Sequence, residues 1–332
     1  MTVKGFLNRF NQLYNTYIEK GEKSHSLAKI WYFIDYAFAF IFQGASLNDY
    51  FAFGFYKLRS NGRNEYITFR RYHRILTKCN DQEAIITFRD KSVFNKVYAD
   101  YLQREVQDVD LLDEESFVRF FKEHRFVFVK ESRGFRGNSV WMYDSNEVNA
   151  NELYQELRYR EDAHYVLEEK IVQHPDLAAF HPSSVNTIRI VTLYDDKRDI
   201  LHFMFAKFRI GNRGAYLDNT HAGGISGNID LETGIINGPG YDVLDGKEFI
   251  CHPMSGKRIV GFQIPFWQEC KAFIERVARV TPQIRYVGWD VVVLPDGGFS
   301  LIEANDNADH DGQQIHNRGM WKEYRALIKE LK

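Results

Sequence analysis

Residues 288–306 read GWDVVVLPDGGFSLIEAND, and no other stretch constrains the chain as much. VVVL and FSLI are apolar and β-branched or aromatic, and PDGG between them is turn chemistry, so the pattern predicts a buried β-hairpin. Two acids, Asp290 and Glu303, interrupt the apolar run. A two-residue turn on Asp296-Gly297 pairs Leu294 with Phe299 and, further out, Asp290 with Glu303. The two carboxylates then share one face with Cβ atoms ~5 Å apart. Like charges so placed repel, and burial adds a desolvation cost. Asn305 falls on the same face, and its opposite number, Gly288, leaves space there. An Asp, a Glu and an Asn amide in one row suit Mg2+, which takes one or two carboxylates and completes its shell with water or phosphate oxygens. On geometry alone the competing reading is an edge hairpin with a solvated acid face. A turn one residue out of place would send the two acids to opposite faces.

The rest of the chain sets broad bounds. Its 332 residues suffice for about two domains. Apolar content of 44% and charged content of 27% are those of an ordinary globular protein. Its 43 basic and 45 acidic residues leave a formal charge of −2, which excludes a broad basic footprint for nucleic acid. Cys79, Cys251 and Cys270 are odd in number and far apart. They form no zinc spacing and fit a reducing compartment. The N-terminus lacks the pattern of a secretory signal.

Along the chain, residues 1–58 read as helical and rich in aromatics. Within them IWYFIDYAFAFIF (30–42) is too short to span a bilayer and contains Asp35. A buried helix docked on the main domain is the expected reading, with a membrane-surface helix as the alternative. AIITF (84–88) reads as a short strand, and a helical stretch follows from about Ser92. Helices are expected at 113–124, 146–160, 266–280 and 318–331. Strands are expected at 125–130, VWMY (140–143), 164–171, 187–194, 200–210 and 225–236. Antiparallel strands interspersed with helices argue for an α+β fold.

Several stretches carry chemistry. VKESRGFRGNSV (129–140) sets Lys130 at a strand end before a loop with Gly134 and Gly137, whose backbone N–H groups could approach phosphate oxygens. Taken alone it could equally be a plain hairpin. VLEEKI (166–171) turns from apolar to acidic, as a solvated strand terminus also would. Arg189 and Lys207 are lone cations within apolar strands and call for an anionic partner. Arg209 shares the strand face of Lys207. DNTHAGGISGNID (218–230) is a glycine-rich connection that could cover a site or simply link strands. DNADHDG (306–312) places Asp306, Asp309, His310 and Asp311 directly after the acid row, as a solvated loop or as a contact for a substrate amine.

The order of these parts resembles the ATP-grasp ligases, over about residues 90–310. Asp90-Lys91 looks like the early motif whose lysine reaches a nucleotide phosphate. Lys130 with Gly134, Gly137 and Ser139 looks like the second lysine and its phosphate lid. Glu168, Glu169 and the backbone to Ile171 look like the adenine hinge, with Asp176 the nearest acid for ribose. Arg189, Lys207 and Arg209 fall where cations face the γ-phosphate and an acyl phosphate. Asp290, Glu303 and Asn305 match the magnesium row. LNDYFAFGFYKL (47–58), HPSSVNTIRIVTL (181–193), HPMSGKRIVGFQIPFW (252–267) and GWDVVVLPDGGFSLIEANDNADHDGQQ (288–314) are most similar to the sugar-transfer-associated group, which includes relatives of teichuronopeptide biosynthesis proteins. There are departures. Gly288 stands where many ligases have an arginine, leaving Arg189, Arg209 and Arg285 as candidates for its role. Residues 1–80 do not resemble the usual N-terminal domain.

The resemblance implies an ATP-grasp fold with a helical, aromatic-rich N-terminal extension (1–89), a first subdomain with phosphate loop and hinge (90–172) and a second with the metal row (173–332). It implies ATP and Mg2+, with Mn2+ as a substitute. The expected activity is a cytoplasmic carboxylate–amine ligase that releases ADP and phosphate and joins an amino acid to a sugar or surface-polysaccharide precursor. A kinase on the same fold is one alternative, and a non-catalytic nucleotide- or glycan-binding module another. Residues 30–42 are the expected place for any peripheral contact with the inner membrane face or a glycan-assembly complex.

Overall fold

A computed structural model of the chain describes residues 2–18, 26–134, 139–160, 163–213, 223–242, 246–314 and 318–331, apart from the side chains of Ser26 and Leu27. The chain divides into two compact units, one of residues 1–80 with 307–332 and one of residues 81–306.

The first unit is helical. Its helices are Val3–Tyr17, Ser26–Phe38 running on into a π-helical turn Ala39–Gln43, Leu47–Ala52, Phe69–Cys79 and Trp321–Glu330, with shorter turns between. Local signals fix their ends. Thr2 accepts a hydrogen bond from Gly5 N at 3.2 Å, and Ser46 and Asp49 form a reciprocal capping box. Aromatic rings fill the interior, among them Phe10, Tyr14, Tyr36, Tyr50, Phe51 and Phe55. Asp35 lies within this helical layer, where Tyr50 Oη and Arg63 each donate to its carboxylate at 2.7 Å. The segment after the acid row belongs to this unit as well. His310 Nε2 lies 2.9 Å from Asp49 Oδ1, and Tyr72 stacks on its ring at 4.5 Å. Gln314 bonds both the N–H (2.7 Å) and the carbonyl (3.0 Å) of Ile67. Of the DNADHDG cluster expected to meet a substrate amine, His310 is therefore committed to packing. Asp49 outweighs the effect of burial and holds its imidazole above the ordinary range.

The second unit has two antiparallel sheets. The smaller comprises β1 (Val106–Asp108), β2 (Phe126–Glu131), β3 (Val140–Asp144) and β4 (Tyr165–Glu169), ordered β1-β4-β2-β3. Helices Glu114–Glu123 and Ala150–Arg158 supply Phe117, Phe120, Leu153 and Leu157 to the core beneath it. The larger comprises β5 (Ile188–Asp195), β6 (Ile200–Ile210), β7 (Ile225–Ile229), β8 (Gly240–Asp242), β9 (Lys247–Phe249), β10 (Tyr286–Val293) and β11 (Phe299–Asn305). Its order is β11-β10-β5-β6-β7-β8-β9. One face buries Ile188, Ile190, Phe208, Trp289, Val291 and Leu301 against helix Trp267–Ala278 and the helical stretch from Lys91 to Leu102. Period-2 alternation sends the intervening polar side chains to the other face.

The fold is the α+β arrangement the strand pattern predicts, with local differences. AIITF contains no strand: Asp81 accepts from Glu83 N and Ala84 N at 2.9 Å in a turn that runs into the helical turn Ile86–Arg89. The 225–236 stretch breaks after Ile229, since Asp230 and Gly234 (φ 77°) close a turn that returns Ile236 beside Ile229. β1 has no counterpart in the sequence reading.

Candidate functional site

The hairpin of β10 and β11 brings Asp290 opposite Glu303, but not through the turn expected. Gly297 N donates to Leu294 O at 3.0 Å and Leu294 N to Gly298 O at 2.8 Å, so the loop is three residues, Pro295–Gly297, with Gly297 at φ 85°. Three-residue hairpin loops commonly close on such a left-handed glycine. This loop pairs Val293 with Phe299 and Val291 with Leu301, one residue away from the two-residue register. A bulge at Ile302 then restores the offset, and Asp290, Trp289 and Gly288 pair with Glu303, Ala304 and Asn305. Hydrophobic patterning selects this solution. It puts Phe299 and Leu301 in the core beside Val291 and Val293, and turns the Ser300 hydroxyl away from that core to donate to Leu102 O. The two-residue turn would have buried the serine hydroxyl among apolar groups.

From that pair a row of polar side chains crosses the sheet in register. Glu303, Asp290, Arg189, Lys207 and Asn228 are successive cross-strand partners on β11, β10, β5, β6 and β7. Arg189 grips Asp290 with two nitrogens: Nε to Oδ1, and a terminal nitrogen to Oδ2 at 2.8 Å. Arg209, one step along β6, donates to the same Oδ2 at 2.7 Å. Burial alone would raise the Asp290 carboxyl, but the two guanidinium groups hold it well below the usual carboxylate range. Glu303 moves the other way. Desolvation, then the Asp290 carboxylate beside it, push its carboxyl up. Its side chain keeps 50% of its exposure, and Arg189 stands off at 3.7 Å, so Glu303 is the outward acid of the pair. Asn305 Nδ2 reaches Glu303 Oε1 at 3.3 Å. The row is thus acidic at one end and cationic at the other.

A second cluster joins the start of the unit to the smaller sheet. Asp90 caps the helix that begins at Lys91 and also accepts from Ser132 Oγ (2.6 Å) and Arg133 Nε (2.9 Å), anchoring the first residues of the glycine loop. Lys91 Nζ donates to the carbonyls of Glu131 and Gly134, each at 2.9 Å. Burial lowers the Lys91 pKa, and its amine feels Glu303 and Glu168 as opposite charges and Lys130 as a like one. Lys91 therefore sits within electrostatic reach of Glu303 on β11 and Glu168 on β4 together. Lys130 Nζ bonds Glu168 Oε2 at 2.7 Å, and Arg104 Nε bonds the same oxygen at 2.9 Å. Burial opposes ionisation of Glu168, but Arg104 and Lys130 bring its carboxyl down to about 2.

Arg104 is a buried charge of this cluster that the sequence pattern does not mark. Its side chain is 1% exposed. Besides Glu168 it bonds Leu301 O at 2.6 Å and Ser300 Oγ at 3.2 Å, so it ties the acid hairpin to β4. It lies in YLQREVQ, which has no apolar run to mark it as buried. Asn228, at the cationic end of the row, was not anticipated either.

Other expected residues are dispersed. Glu169 accepts from Glu105 N at 3.0 Å at the end of β4, and Ile171 follows it partly buried. Asp176 is largely exposed on the short helix Pro175–Ala178. Arg285 pairs with Asp196 at 3.0 Å, whereas Arg189 and Arg209 reach Asp290. Gly134 approaches Ser139 so closely that a Cβ would stand 2.8 Å from the serine Cβ. Gly137 lies outside the described residues, as do residues 218–222 of the glycine-rich connection.

The donor set fits a hard divalent cation. Two carboxylates and an amide share one face, and a cation there would remove the repulsion that pushes Glu303 up. Because Asp290 already carries two guanidinium groups, Glu303 and Asn305 would be the outward donors to such a cation.

An acid row, a lysine-laced glycine loop and two antiparallel sheets in this order define an ATP-grasp protein. Within that class the chain belongs to the sugar-transfer associated ATP-grasp family, whose profile matches residues 142–327. No curated protein matches it. Among solved structures it is similar to the ATP-grasp ligase PsnB complexed with minimal precursor, Mg and ADP (15% identity, 76% of this chain and 60% of that chain, TM-score 0.44). It is also similar to D-alanyl-alanine synthetase A from Vibrio cholerae (11%, 74% and 65%, 0.46). A third is a Chryseobacterium gregarium RiPP-associated ATP-grasp ligase in complex with ADP and a leader and core peptide (12%, 76% and 62%, 0.46). The chain thus spans less than two thirds of the length of each.

Proposed function

We propose that the protein is an ATP-dependent carboxylate–amine ligase. A substrate carboxylate oxygen attacks the γ-phosphorus of ATP, the bond to the β–γ bridging oxygen breaks, and ADP leaves. An amine then attacks the acyl-phosphate carbon, expels phosphate, loses a proton and forms the amide. The observation that carries this reading is the charged row on the larger sheet, acidic at Glu303 and Asp290 and cationic at Arg189, Lys207 and Arg209, in a member of this family. Such a row can hold a polyanion in one orientation and meet the charge that develops on transfer.

In this reading Lys91 and Lys130 hold phosphates, and the loop of Gly134, Gly137 and Ser139 covers them. Glu168, Glu169 and the backbone to Ile171 receive adenine, and Asp176 receives ribose. Arg189 and Arg209 stabilise the acyl phosphate, with Lys207 on the γ-phosphate. Asp290, Glu303 and Asn305 would hold Mg2+, or Mn2+ in its place, which neutralises phosphate charge when bound. Residues 90–172 and 173–332 would supply the two halves of the clamp. The amine donor is an amino acid, and the acid is carried by a sugar or surface-polysaccharide precursor in the cytoplasm, where ATP is available.

Hydroxylamine trapping tests the reaction type. With ATP, Mg2+ and a panel of amino acids and uronic-acid donors, ADP release together with a hydroxamate supports the ligase. A stable phosphoester identifies a kinase. Bound ATP without ADP release under any pairing identifies a binding module.

A further inference from the structure

Nothing in the ligase reading uses the aromatic helix of the first unit. Read as a wheel, Ser26–Phe38 and the π-helical turn Ala39–Gln43 have two apolar faces. Tyr36, Ala39 and Gln43 are buried against the unit's own core. Trp31, Ile34, Phe38, Ile41 and Phe42 follow on the other face, with Trp31 65% and Phe42 69% exposed. Phe38 and Phe42 stack at 5.9 Å within this exposed apolar face. Such a cluster on a monomer marks a contact site, since a helix that is apolar all round is normally buried.

Charge identifies what meets it. Asp35, the one acid between residues 26 and 43, is turned inward and bound by Arg63 and Tyr50. Cations stand at both ends of the helix. The Lys29 amine lies over the Tyr14 ring, and the exposed Arg70 donates to the carbonyls of Phe40 (2.9 Å) and Ile41 (3.1 Å) at the C-terminal end. The asymmetry extends to the whole unit. Residues 1–80 with 307–332 carry 17 lysines and arginines against nine acids, a formal +8, whereas residues 81–306 carry 26 against 36, a formal −10. No helix among the described residues is long and apolar enough to cross a membrane.

We infer that this helix face docks on an anionic lipid bilayer. It lies in the headgroup region, with Trp31, Ile34, Phe38, Ile41 and Phe42 inserted and the basic unit held to the surface. Apolar insertion combined with cationic flanks is the physics of interfacial helices, and neither component alone gives stable attachment. The inference does not depend on the ligase activity.

The test is co-sedimentation of the full chain with vesicles of phosphatidylcholine and phosphatidylglycerol (3:1), beside phosphatidylcholine alone. The chain is expected to pellet with the anionic vesicles, to bind neutral ones more weakly and to release at high salt. Phe38→Ser with Phe42→Ser should lower partitioning by about tenfold or more, since two inserted rings are lost. Both side chains are exposed, so the double variant should keep the parent's circular dichroism spectrum and melting temperature. Failure to bind anionic vesicles overturns the proposal, as does binding that the double variant leaves unchanged. Self-association in light scattering that the double variant abolishes, without vesicle binding, would overturn it in favour of a contact between copies.

Discussion

Two buried carboxylates of the second unit are built alike and placed differently. Asp290 is held by Arg189 and Arg209, and Glu168 by Arg104 and Lys130. In each case burial would favour the neutral acid, and two cations keep it ionised. The difference lies in the neighbours. Glu168 has a cation on each of its two bonds, and one of these, Arg104, reaches on to Leu301 O of the hairpin, so the cluster braces the hairpin against β4. Asp290 stands across from Glu303, whose own carboxyl is pushed up, so its end of the row carries an acid more than packing requires. The same pairing of a buried carboxylate with two cations thus stands by itself at Glu168 and beside a second acid at Asp290.

The largest effect should come from breaking the brace. Glu168→Leu strands two buried cations and should cost about 3–5 kcal/mol in urea unfolding. An equal or more stable variant would show that the cations find other partners. Asp290→Asn leaves Arg189 and Arg209 on a neutral amide. It should cost about 2–4 kcal/mol and also weaken Mg2+-dependent nucleotide binding in calorimetry, which is where the two sites part. Gly297→Ala should cost about 1–2 kcal/mol, because a left-handed residue gains a Cβ. That Cβ would stand 2.9 Å from the Phe266 ring, and the melting temperature reports the loss.

The smallest stability change, within about 1 kcal/mol, should be that of Glu303→Gln, since it removes a repelled charge. Its nucleotide affinity with Mg2+ should nevertheless fall about tenfold. Titration distinguishes the two acids by sign. Glu168 and Asp290 have depressed folded pKa values, so the unfolded chain binds more protons in acid, and their contribution is lost as pH falls below the usual carboxylate range. Glu303 has a raised folded pKa, so stability declines as pH rises through it. Stability measured against pH should lose that decline in Glu303→Gln and keep the acid limb.

Much of this site is legible in the sequence because it depends on strand alternation. Charged residues inside apolar strands announce a polar face, and Asp290, Glu303, Arg189, Lys207 and Arg209 all come from such strands. What sequence does not reveal are contacts set by the third dimension. Arg104 sits among polar residues and looks solvated, yet its side chain is buried between Glu168 and the Leu301 carbonyl of the hairpin. AIITF has strand-forming residues, but a turn closed by Asp81 leads it into a helical turn instead. The exposure of residues 30–42 also escapes periodicity, which cannot tell a second apolar face from a wholly buried helix. The buried helix expected there is buried on one side only.

The bulge at Ile302 has a consequence for how errors in this hairpin are absorbed. A three-residue turn followed by one extra strand residue reaches the same meeting of Asp290 and Glu303 as a two-residue turn with none. A chain that first closes on Asp296-Gly297 therefore already has its acids opposed, and settling into the final turn shifts only the residues between. The hairpin can slip, lengthen or shorten by one step at the tip without disassembling the pair at its base.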